Sequence, residues 1–75
     1  MKTVKKQLGE WLVQQMAQTS TSNVDIVEAF AKKGDRITSS YVSNMRGIGM
    51  SLNKANEVAD VLGWPKPTVV NGLVL

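Results

Sequence analysis

Apolar residues recur at helical spacing in the first segment. Val4, Leu8, Trp11, Leu12 and Met16 fall into one stripe, while Lys5, Gln7, Glu10 and Gln14 lie away from it. The pattern predicts an amphipathic helix over roughly residues 3 to 18. Thr19-Ser20-Thr21-Ser22-Asn23 then interrupts with side chains that compete for backbone hydrogen bonds, and Ser22 with Asp25 has the form of a capping box. A second helix is expected to begin near Asn23. Val24, Val27, Phe30 and Ala31 supply its apolar face with Ile26 nearby, and Lys32-Lys33-Gly34 place cations and a left-handed cap at its end. Thr38 is a good N-cap for a short third helix over Ser39 to Arg46.

Arg46-Gly47-Ile48-Gly49-Met50 reads as a loop, since each glycine in a helix costs about 1 kcal/mol. Ser51 caps a fourth helix whose buried stripe is Leu52, Ala55, Val58, Ala59 and Leu62, with Asn53, Glu57 and Asp60 toward water. Gly63 followed by apolar Trp64 has the form of a Schellman ending, and Pro65 and Pro67 forbid further helix. The tail, Thr68 to Leu75, is rich in Val and Leu and is split by the turn signal Asn71-Gly72. A hairpin with such short arms is marginal alone, so the tail is expected either to pair with a second chain or to pack back on the helices. Val69, Val70, Leu73, Val74 and Leu75 are its candidate dimerisation residues. The pattern thus predicts an all-α fold of four helices over residues 1–67, with a short β-strand or hairpin extension over 68–75.

Composition narrows this picture. The 75 residues suffice for one domain and one core. With no Cys and no His, the chain has neither a disulfide framework nor the usual zinc-finger ligands, and no metal or cofactor is expected. The same absence removes the common nucleophile and general-base constellations, and no carboxylate pair sits in an apolar pattern, so an enzyme is not expected. No small-molecule ligand is evident. No run of about 18 apolar residues occurs, and Met1 to Leu8 lacks the apolar stretch of a secretory signal. A cytoplasmic protein without membrane partners is expected. Nine Lys plus Arg against six Asp plus Glu give a net charge of +3, which is compatible with nucleic acid without identifying it.

The third helix carries the sharper signal. Val42 and Met45 point to one side, with Tyr41 on its edge and Ile37 just before, and this side anchors the helix to the core. Ser39, Ser40, Ser43 and Asn44 form the opposite stripe, flanked by Arg46. On its own such a stripe is the ordinary solvated face of a short helix. Yet short, polar side chains also suit a surface that enters a groove about 12 Å wide to meet base edges. Asn bonds adenine in a bidentate manner, Ser serves any base, and Arg favours guanine or phosphate.

The run Ile37-Thr38-Ser39-Ser40-Tyr41-Val42-Ser43-Asn44-Met45-Arg46-Gly47, a short loop, and then Ser51-Leu52-Asn53-Lys54-Ala55-Asn56-Glu57-Val58-Ala59-Asp60-Val61-Leu62-Gly63-Trp64 resembles the Cro/C1-type, lambda repressor-like helix-turn-helix family of phage and plasmid repressors. The resemblance covers roughly residues 23 to 64, in order and spacing. It implies a compact bundle of four to five helices that binds as a homodimer to a two-fold-related operator, with the recognition helix over about 38–47 in the major groove. By position, Ser39, Ser40, Ser43 and Asn44 would read bases, and Tyr41 would contact a phosphate or a thymine methyl. Two features depart from the family. The turn between Phe30 and Ile37 is about two residues longer than usual, and the frequent Gln or Arg at base-reading positions is absent, which gives shape and water-mediated readout more weight.

Phosphate anchoring is expected from Asn23 and the N-terminal N–H groups of the second helix, from Thr38, and from the cations Arg36, Arg46 and Lys54. Lys32 and Lys33 are read as neutralising a helix dipole, Lys2, Lys5 and Lys6 as a solvated face, and Trp11, Trp64, Met16 and Met45 as core or interface residues. A transcriptional regulator of double-stranded DNA, acting by occlusion as a repressor, is the function expected. The alternative is a protein-interaction module, such as an antitoxin or an inhibitor that covers its partner with the bundle and the apolar tail. RNA binding is disfavoured, because no aromatic-bearing sheet is foreseen for unpaired bases.

Overall fold

The computed structural model describes residues 2–75; Met1, at which the expected 1–67 unit starts, lies outside them. Four helices are followed by a hairpin: α1 (Val4–Thr19), α2 (Asn23–Lys33), α3 (Ser39–Gly47), α4 (Leu52–Leu62), β1 (Val69–Val70) and β2 (Leu73–Val74). This is an all-α bundle with a short β extension, as the pattern predicts.

The helices begin and end where their side chains satisfy orphan backbone groups. Thr3, Ser22, Thr38 and Ser51 each accept a bond from the N–H three residues on. At α2 the box is reciprocal. The Asp25 N–H donates to Ser22 Oγ (3.2 Å), and the Ser22 N–H donates to Asp25 Oδ2 (2.9 Å). Gly63 closes α4 with a left-handed residue, while the Trp64 N–H bonds the Ala59 carbonyl at 2.8 Å. α3 runs one residue further than expected, through Gly47, because the Ile48 N–H still finds the Asn44 carbonyl at 2.8 Å.

The core draws on all four helices: Leu8, Trp11, Leu12 and Met16 from α1, Ile26 and Phe30 from α2, Val42 and Met45 from α3, and Ala55, Val58 and Ala59 from α4, with Met50 from the loop. Fully burying a side chain such as Leu12 or Phe30 contributes about 1.5–3 kcal/mol. The face of α2 differs from the one read off the sequence. Ile26 and Phe30 are its buried residues, whereas Val24 is 57% exposed and Ala31 faces water. Leu52 is likewise exposed rather than part of the α4 stripe.

α1 lies against α3 at very close range. A Cβ on Gly9 would sit 2.7 Å from the Met45 carbonyl oxygen and 2.9 Å from Gly49 Cα. Gly49, at φ 112°, leaves no room for a Cβ against the Lys5 carbonyl, and the Met50 N–H donates to that same carbonyl at 3.2 Å. Lys6 Nζ caps the α3 C-terminus by donating to the Gly47 carbonyl. The start of α1 thereby holds the end of α3 in place.

The tail pairs with itself and packs back on the bundle. β1 and β2 are antiparallel, with Val69 opposite Val74 and Val70 opposite Leu73. Asn71 and Gly72 both have positive φ, 51° and 78°, as a two-residue primed turn requires. Gln7, expected to face water, is half-buried and holds the hairpin: its Nε2 donates to the Gly72 carbonyl (2.8 Å) and its Oε1 accepts from the Val74 N–H (3.0 Å). Val74 and half-buried Trp64 pack against the core, the latter edge-on to Trp11 at 6.1 Å between ring centres. No described helix is long and apolar enough to cross a membrane.

Candidate nucleic-acid interface

α2 and α3 are joined by Gly34, Asp35, Arg36, Ile37 and Thr38, a longer turn than the three or four residues common between paired helices of this kind. Gly34 at φ 98° ends α2, and the Asp35 N–H bonds the Phe30 carbonyl at 2.9 Å. Ile37, half-buried against the core, then brings the chain to Thr38, whose Oγ1 accepts from the Tyr41 N–H at 3.1 Å.

Val42 and Met45 fasten α3 to the core, so the opposite face of the helix is turned to solvent. Ser39, Ser40, Ser43 and Asn44 are all exposed there, and the turn residue Arg36 and the last-turn Arg46 are exposed at either end. From Arg36 to Gly47 the chain carries no acidic residue. Among the described residues Lys5, Lys6, Lys32, Arg36 and Arg46 form no ion pair, whereas Lys2, Lys33, Lys54 and Lys66 do.

The N-terminus of α2 meets this face. Asn23 Nδ2 donates to Ser43 Oγ at 3.0 Å, and Arg46 donates to Asn23 Oδ1 at 3.2 Å. Ser22 caps the Asp25 and Ile26 N–H groups, which leaves those of Asn23 and Val24 open at the positive end of the helix. The fold joins Asn23, Ser43 and Arg46 in one network.

Lys54 stands apart from it. Its ammonium lies over the rings of Phe30 (5.5 Å) and Tyr41 (5.4 Å) and donates to Glu57 Oε1 at 2.7 Å. The bond to Glu57 holds the Lys54 pKa above its ordinary value despite partial burial, with Tyr41 adding to the effect. Lys54 and Lys33, the latter 3.0 Å from Glu57 Oε2, together hold the Glu57 carboxyl below its ordinary value. This cluster fixes Tyr41, at the edge of α3, to α4.

Val69 and Val74 turn toward the bundle, while Val70, Leu73 and Leu75 are 47%, 58% and 74% exposed. An open concavity of about 630 Å³ lies between α2 and α4, away from the serine face, and mixes Asp25, Glu28 and Asp60 with Lys32 and Lys33. Comparison of the chain with protein-family models, with curated proteins and with solved structures finds no match.

Proposed function

We propose that the chain is a sequence-specific regulator that binds double-stranded DNA, a Cro/C1-like repressor acting as a homodimer on an inverted-repeat operator, with residues 38–47 in the major groove. The observation that carries this reading is the solvent face of α3. It is acid-free, Ser39, Ser40, Ser43 and Asn44 give it short hydrogen-bonding side chains, and it lies between two arginines that form no ion pair among the described residues. A helix about 10–12 Å across fits a groove about 12 Å wide only if the side chains on its leading face are short.

In this reading Ser39, Ser40, Ser43 and Asn44 meet base edges. Arg36, Arg46 and the open N–H groups of α2 hold phosphates on either side, with Thr38 and Tyr41 at the margin. Lys54 contributes by holding Tyr41 in place. Dimerisation uses the outer hairpin face, Val70, Leu73 and Leu75, with Val69 and Val74 bracing it from within. Repression follows from occlusion of the operator, in the cytoplasm at the nucleoid, and no cofactor takes part.

The same apolar hairpin face supports a second reading, an antitoxin-like or inhibitor-like module that covers a protein partner. Selection of bound duplexes from a random library separates the two. An enriched inverted repeat with half-sites about one helical turn apart is the expected result; no enrichment at low salt would transfer the proposal to the protein-partner reading.

A further inference from the structure

Asn71 and Gly72 join β1 to β2, both exposed and both at positive φ, 51° and 78°, the type I′ form of a two-residue hairpin. Neither the Asn71 side-chain amide nor the Gly72 N–H forms a hydrogen bond with any described residue. Two groups able to react with each other are thus adjacent and unengaged. Closing a five-membered ring between them eclipses Asn71 Cβ with the Gly72 nitrogen, which for an L residue sets ψ at about −120°. With φ already at 51°, that is the first central position of a type II′ turn, at about +60° and −120°, the other two-residue hairpin connection. The two turns interconvert by a flip of the one peptide plane between Asn71 and Gly72, which carries the Gly72 φ from positive to negative, a change glycine makes freely. The Gly72 carbonyl, held by Gln7 Nε2 at 2.8 Å, belongs to the next plane and stays in place.

We propose that Asn71 is a site of spontaneous covalent modification, at which the turn closes to a succinimide and reopens as aspartate or isoaspartate. The Gly72 nitrogen forms a bond to Asn71 Cγ and gives up its proton, the Cγ–Nδ2 bond breaks, and the departing amide nitrogen takes that proton and leaves as ammonia. Water then opens the ring at either carbonyl. Opening at Cγ leaves an aspartyl side chain, which a type I′ turn accepts as it accepts Asn. Opening at the main-chain carbonyl runs the backbone through Cγ and adds one carbon to the loop, so the two-residue connection no longer fits and the Val74 N–H moves away from Gln7 Oε1, a bond that ties the hairpin to α1. Either product lowers the net charge of +3 by one. The other asparagines, Asn23, Asn44, Asn53 and Asn56, lie in helices, where ψ of about −42° turns the next nitrogen away from Cγ. There the following residues, Val24, Met45, Lys54 and Glu57, also carry a Cβ that hinders the attack.

Incubation of the intact protein in mildly alkaline buffer, followed by peptide mass mapping, tests this. A mass gain of about 1 Da is expected at Asn71, accumulating at least about tenfold faster than at any of the helical asparagines. Because the folded turn needs only a peptide flip, the native rate is expected to lie within about tenfold of the rate in the same buffer with unfolding urea. A native rate more than about tenfold below the unfolded one would overturn the proposal, since the closed turn would then protect Asn71. So would a gain no faster at Asn71 than in the helices. In the isoaspartyl fraction the Val74 amide is expected to lose protection from hydrogen exchange, whereas Asn71→Asp retains it; equal protection in both would overturn the consequence for the hairpin.

Discussion

Gly9→Ala is expected to destabilise the protein although it replaces a poor helix former by the best one. In an exposed helix interior the change gains about 1 kcal/mol. At Gly9 the new methyl would meet the Met45 carbonyl oxygen at 2.7 Å and Gly49 Cα at 2.9 Å, both backbone atoms, and neither can rotate away. Overpacking of this kind costs about 1–3 kcal/mol and more where the neighbour is rigid. Against two rigid backbone atoms the upper end of that cost applies, and with the propensity gain subtracted a net loss of about 2 kcal/mol follows, or a fall in Tm of about 8–16 °C for a domain of this size. Gly47 provides the internal control. Nothing lies within 4 Å of its would-be Cβ, so Gly47→Ala is expected to raise stability by up to about 1 kcal/mol. Urea unfolding followed by tryptophan fluorescence reads both, since Trp11 and Trp64 pack edge to face in the native state. A Gly9→Ala protein as stable as wild type, or stabilised like Gly47→Ala, would refute the close α1–α3 contact on which the placement of α3 depends.

Other expectations follow from the same geometry. Leu73→Glu, on the outer hairpin face, is expected to leave the helical content unchanged and, in light scattering at matched concentration, to convert the proposed dimer to a monomer; an unaltered mass would contradict dimerisation through this face. Arg46→Gln should make the log-log salt slope of duplex binding shallower by about 0.9, whereas Lys54→Gln should leave the slope unchanged because its ammonium is engaged within the fold; equal slope changes would contradict the separation of these two cations. Glu57 has a depressed folded pKa, so its contribution is complete above the ordinary value of 4.5 and is lost as pH falls through the lower folded value. Lys54 has a raised one, so its contribution is complete below 10.5 and is lost as pH rises through the higher folded value. Glu57→Gln should therefore flatten both limbs of a stability–pH curve, by less than about 1 kcal/mol for so exposed a pair, and unchanged limbs would discount the cluster.

What the sequence makes legible is local. Ser22 with Asp25, Thr38, Ser51, Gly34, Gly63 and Asn71-Gly72 act within three or four residues of themselves, and each lies where its chemistry predicts. The α2 face was harder to read, since apolar residues occupy 24, 26, 27, 29, 30 and 31, and two registers fit until α4 and α3 choose Ile26 and Phe30. Ser20 ends α1 in a left-handed conformation that nothing but the polar run hints at. The contacts that shape the candidate site span long separations. Asn23 reaches Ser43, Gln7 reaches Gly72, and Gly9 faces Gly49, pairings with no periodic signature. A glycine in the middle of an otherwise strong helix was the one visible sign of the last, because a position that forgoes about 1 kcal/mol of propensity usually has a packing reason.

Titration of isotopically labelled protein with a selected duplex, followed amide by amide at low salt, tests whether α3 is the surface that meets DNA. The perturbed signals are expected to concentrate on Ser39, Ser40, Ser43 and Asn44, with Asn23, Val24 and Arg46 beside them. Signals that move only in the hairpin over 68–75, or only along the α2–α4 groove, with α3 unchanged, would contradict it.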